Sequence, residues 1–113
     1  MKIVESQITI DELKEMSNKM FGNLVKAVVD AEKEIMAVDG ELHAEEQELL
    51  IENGSKCENL WGINIYPDNK DEDWVEFDSM INLKPGLGHR TRGMENPEIR
   101  EKIIKIVNKL VKK

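Results

Sequence analysis

Two histidines and a pair of arginines are the side chains in this sequence best suited to chemistry. His43 and His89 are its only histidines, the residue type whose charge changes near neutral pH. Arg90 and Arg92, in the stretch GHRTR, can each present a planar donor fork to a phosphate or carboxylate. The simplest constellation is His43 as acid or base beside an anion clamp of Arg90 and Arg92, as phosphoryl transfer or phosphodiester cleavage would require. His89 adjoins the arginines in sequence and is the alternative base. Asn64 and Asn82 lie within or at the end of strand-like runs and complete the set as ligand-binding amides. The competing reading is bland: arginines pair with the chain's own carboxylates, and an ordinary histidine is hydrogen-bonded rather than catalytic.

Other chemistry is weaker. Asp39, Glu41, His43 and Glu45 put four donor groups within a short span, but their spacing matches no strong zinc signature, and no metal ligand is assigned. The acidic run at residues 68–73 resembles a calcium loop only in composition, lacking the central glycine and the terminal glutamate. Cys57 is the single cysteine, which excludes an internal disulfide and any multi-cysteine metal centre. There is no phosphate-cradling Walker pattern, dinucleotide fingerprint, nucleophile elbow or zincin motif, so no cofactor is expected.

The elements that must position these groups are legible in part. Residues 60–66 alternate, with Trp61, Ile63 and Ile65 on one face, and residues 74–81 alternate likewise, which predicts an antiparallel hairpin across the polar link at 67–73. Pro67 ends its first strand. Residues 82–93 are irregular, with Pro85-Gly86 as a turn signal. Thr9, with Glu12 three residues on, predicts a helix from Ile10 to about Gly22. Residues 24–38 suit either a β-hairpin, favoured by β-branched density, or a helix; the hairpin is the expected form because it supplies partners for residues 60–81. A short helix is predicted over residues 44–52. A longer one starts at Asn96-Pro97, with Ile99, Ile103, Ile106 or Val107, and Leu110 inward and Lys102, Lys105, Lys109 and Lys112 on a basic face.

The chain has 113 residues and a formal net charge of -7. Residues 1–83 carry 7 basic and 20 acidic side chains, whereas residues 84–113 carry 9 and 3. The acidic total disfavours duplex nucleic acid, and the basic C-terminal part is expected to face the acidic body. No apolar run is long enough to span a membrane, and MKIVESQ lacks the apolar segment of a signal peptide, so a cytoplasmic protein is expected.

Read in series, VKAVVDAEKEIMAVDGELHAEEQELLIENGS, NLWGINIYP, FDSMINLKP and GHRTR resemble a family of small prokaryotic proteins of similar length known only as a domain of unknown function. The resemblance covers nearly the whole chain. Among its matching positions are Gly40, His43, Trp61, Gly62, Asn64, Ser79, Asn82 and Arg90, while His89 departs from the family's more usual asparagine, which leaves His43 ahead as the candidate base. It implies no activity, substrate or cofactor. A narrower similarity of AVDGELHAEEQELL to tellurite-resistance-type helical proteins implies the helical form of residues 24–37.

The expected architecture is one α+β domain over residues 1–113, with a small antiparallel sheet of about four strands packed against three helices on one side. The expected function is a non-catalytic binding or interaction module, with a sheet edge or face for homo-oligomerisation and a small anionic ligand as the other partner. The alternatives are a small hydrolase or phosphate-handling enzyme using His43 with Arg90 and Arg92, and a divalent-metal-binding regulator.

Overall fold

The structure is a computed structural model that describes residues 1–69 and 72–113. Strand β1 (Lys2–Val4) and the two-residue β2 (Ile8–Thr9) lead into helix α1 (Ile10–Lys19). Thr9 caps α1, its Oγ1 accepting from the Glu12 N–H at 3.1 Å. Residues 24–38 take the hairpin form: β3 (Val25–Asp30) and β4 (Ile35–Val38) pair antiparallel, with Val28 opposite Ala37. Asp30 secures their turn, its Oδ1 accepting from the N–H groups of Glu32 and Lys33 and its Oδ2 from the Ser55 hydroxyl at 2.6 Å. Helix α2 (His43–Glu52) follows, then β5 (Leu60–Ile65), β6 (Val75–Glu76), helix α3 (Pro97–Leu110) and β7 (Val111–Lys112). Asn96 caps α3 from the position the sequence indicates, and Pro97 occupies its first turn.

The five-stranded antiparallel sheet has the order β1-β4-β3-β5-β6, and β2 and β7 form a separate parallel pair. The expectation of helices on a single side is corrected. Val25, Ala27, Val29, Met36, Val38, Trp61, Ile63 and Ile65 pack with α1 and α3 in one core, whereas Val28, Ala37 and Leu60 pack with Leu50 of α2 in another. Both faces of β3 are therefore covered, which is why its sequence VKAVVD is apolar with little alternation. Among the described residues, no helix is long and apolar enough to cross a membrane.

The second strand of the central hairpin is much shorter than residues 74–81. Only Val75 and Glu76 pair with β5, opposite Ile65 and Asn64. From Phe77 the chain leaves the sheet, and a 3-10 turn at Met80–Asn82 crosses the α2 face of β5. Close packing at Gly62 explains the departure. A Cβ there would lie 2.5 Å from the Ser79 hydroxyl oxygen, so β5 accepts the crossing segment only because Gly62 has no side chain. Lys70 and Asp71, within the predicted polar link, lie outside the described residues.

Candidate functional site

His43 is the first residue of α2, and its ring turns inward to the sheet. Nε2–H donates to the backbone carbonyl of Ile63 on β5 at 2.8 Å. A carbonyl can only accept, so the proton is on Nε2, and in the neutral ring Nδ1 carries the free lone pair. Burial holds the ring pKa below its ordinary value. The Ile63 hydrogen bond and Asp78 oppose that shift, while Lys26 and Arg92 reinforce it.

Around this ring is a cavity of about 280 Å³, lined by His43, Lys26, Asp78, Ser79 and Arg92 together with Leu42 and Met80. Three separate parts of the fold supply the cationic side. Lys26 comes from the middle of β3, on the α2 face. Arg92 comes from the irregular segment before α3, where Nε lies 2.9 Å from Oδ1 of Asp78. The start of α2 lines the same space through Leu42, His43 and Ala44. Leu42 stands at the N-cap position but has no acceptor atom in its side chain. Glu45 supplies only the return half of a capping box, its Oε1 accepting from the Leu42 N–H at 3.1 Å. The positive end of the α2 dipole thus faces the cavity without a capping side chain.

The backbone bearing Arg92 is held by two brackets, one from the buried Asn82 and one from the half-buried Arg100. Asn82 accepts from the Gly62 N–H at 2.8 Å and donates to the Gly62 carbonyl at 3.0 Å and to the Arg92 carbonyl at 2.9 Å. Arg100 of α3 donates through Nε to the Met94 carbonyl and through Nη2 to the Gly93 carbonyl, both at 2.6 Å. Met94 is fully buried at φ 44, a left-handed conformation that this fork helps to hold. Below the cavity, three residues along α2 from His43, Glu46 is fully buried. Its Oε2 accepts from the Gly40 N–H at 3.0 Å and its Oε1 has no partner; burial pushes its pKa up to about 9. Gly40 is required there because a Cβ would lie 2.7 Å from Cγ of Glu46.

Of the residues singled out in the sequence, His43 and Arg92 meet at one cavity. Arg90 does not join them: it lines a second cavity, of about 420 Å³, with His89, Thr91, Met94 and Asn96. His89 packs its ring edge-on to Trp61, with centroids 4.8 Å apart. Asn64 faces Glu76, donating to Oε1 at 2.9 Å beside the Tyr66 hydroxyl. Asn82 braces the backbone rather than lining the cavity. Four contributors were not singled out: Lys26, Asp78, Arg100 and Glu46. A lysine inside the apolar run of β3 was a usable signal for the first. For Glu46 the signal was spacing, because His43, Glu46 and Leu50 fall on one stripe of α2. Nothing in the sequence distinguished Asp78 or Arg100.

Comparison with known proteins bears on lineage more than on chemistry. No curated protein and no solved structure matches this chain. A family model does match, over residues 2–110, described as Protein of unknown function (DUF5674). The extent of that match, nearly the whole chain and both halves of the cavity, shows that the protein belongs to this family of unknown function.

Proposed function

We propose that this chain is a cytoplasmic, non-catalytic module that binds a small anion in the cavity between α2 and the segment bearing Asp78 and Arg92. The observation that carries the reading is that Lys26, His43 and Arg92, far apart in sequence, line one recess of about 280 Å³ in a chain of net charge -7. Arg92 supplies a planar fork, and its exposed pairing with Asp78 is of the kind that contributes little and yields readily to a ligand oxygen. Lys26 adds a second positive charge, and Nδ1 of His43 accepts from a ligand hydroxyl. Asp78 keeps Arg92 oriented while the cavity is empty of ligand.

Calorimetric titration with inorganic phosphate and with acetate tests this. Saturable binding is expected in the original chain, weakened at least about tenfold in Arg92→Ala and in Lys26→Met, as for loss of one charge-assisted contact. No binding of either anion would overturn it.

The hydrolase reading keeps one observation on its side, the free Nδ1 of His43 on the same cavity as Arg92. It demands turnover of a phosphate ester that His43→Ala abolishes, whereas a binding module shows none. The metal-regulator reading has less support, since among the described residues no group of three or more His, Cys, Asp or Glu side chains is placed to hold an ion. Homodimerisation through a sheet edge is also less well supported. The edge strands β1 and β6 are three and two residues long, which limits edge pairing.

A further inference from the structure

The rim of the His43 cavity carries exposed apolar side chains beside its charged ones. Leu42 and Met80 both line it, yet Leu42 is 58% exposed and Met80 63%, the two most exposed large hydrophobic side chains among the described residues. Phe21, 39% exposed, stands outside the lining, with its ring centroid 5.4 Å from the ammonium of Lys26, which does line the cavity. Single exposed apolar residues are ordinary, but two brought together at the mouth of one recess mark a contact surface. Leu42 also breaks a local rule. The N-cap position favours Ser, Thr, Asp or Asn, and a leucine there forgoes the cap while most of its side chain remains in water. Ile81, partly buried beside Met80, continues the apolar lining inward.

Resting on the anion-binding reading above, we infer that the ligand is an amphipathic small molecule, a carboxylate or phosphate head carrying an apolar chain or ring. The head lies against Arg92 and Lys26, and the apolar part lies across Leu42 and Met80. Charge favours a free molecule over a membrane surface. An anionic bilayer would bring many charges at once against the exposed Glu41 and Glu45 and a chain of net charge -7, whereas a single small anion meets Lys26 and Arg92 in a recess of about 280 Å³.

The test is a chain-length series, acetate through octanoate, and in parallel inorganic phosphate against hexyl phosphate, measured by calorimetry at concentrations below micelle formation. Affinity is expected to rise about threefold for each methylene that reaches the rim, giving at least about tenfold from acetate to hexanoate. Met80→Ser and Leu42→Ser are expected to reduce that gain. Leu87→Ser, which removes an exposed leucine at the other cavity, is expected to leave the whole series unchanged. If acetate and phosphate bind but chain length has no effect, the amphipathic ligand is ruled out and the anion site stands. If no member binds, both readings fall. Binding to vesicles of phosphatidylglycerol without any gain along the soluble series would also overturn the inference, in favour of a lipid surface.

Discussion

The side-chain amide of Asn82 closes a two-bond ring with the backbone of Gly62: Oδ1 lies 2.8 Å from the glycine nitrogen and Nδ2 3.0 Å from its carbonyl oxygen. It stands in for a strand, because β6 reaches only as far as Asn64 on this side of β5. The same Nδ2 also binds the Arg92 carbonyl, so one buried amide ties the sheet to the segment that carries the guanidinium.

Asn82→Ala should therefore cost about 2–4 kcal/mol, since it leaves buried backbone groups without partners. Gly62→Ala should cost about 1–3 kcal/mol, because its new Cβ must displace Ser79. Denaturant unfolding measures both. The two losses should not add, because either change dislodges the same crossing segment.

Glu46 should make stability fall with rising pH. Its folded pKa of about 9 lies above the ordinary carboxyl value of 4.5, so between those values the unfolded chain gives up a proton that the folded chain keeps. The protonated carboxyl favours folding fully below about pH 4.5, and the benefit is lost as pH climbs toward 9. Glu46→Gln keeps an acceptor for the Gly40 N–H and does not titrate. Unfolding curves from pH 5 to 9 should show the variant gaining steadily on the original chain.

His43 should act with the opposite slope on the acid side. Its folded pKa is depressed by burial below 6.5. As pH falls through 6.5 the unfolded chain takes up a proton that the folded chain resists, so stability declines until the folded ring also charges. His43→Gln retains an N–H donor for Ile63 and should lack that decline when the two are compared by denaturant titration at pH 7.5 and 5.

Arg100→Lys should destabilise by about 1–3 kcal/mol, because an ammonium cannot reproduce the fork that engages both the Gly93 and Met94 carbonyls. Hydrogen exchange should show faster opening of residues 91–96 in the variant, with the β3–β5 ladder protected as before.

Local signals told much of this fold. Thr9 and Asn96 cap the helices they were expected to cap, and the β-branched run at 25–30 pairs as expected with β4 and β5. Signals failed where a long-range contact overrides a local pattern. Residues 74–81 alternate as a strand does, but the absent Cβ of Gly62 draws Ser79 over the sheet face and ends the pairing after Glu76. Two-sided burial of β3 likewise depends on α2 crossing to the face opposite α1 and α3, which no local period encodes. At the site, the types of His43 and Arg92 were informative. That Arg90, two residues away, faces another cavity depends on the turn between them, and one residue of alternation was not enough to foresee it.

The most direct test of the anion site is a proton–nitrogen NMR titration with inorganic phosphate at pH 7.5, following Nε–H of Arg92 and the ring signals of His43. Both are expected to shift together and saturate with one dissociation constant, while the Arg90 Nε–H and His89 ring signals stay in place. Unmoved His43 and Arg92 signals at saturating phosphate, or equal shifts at Arg90 and His89, would contradict it.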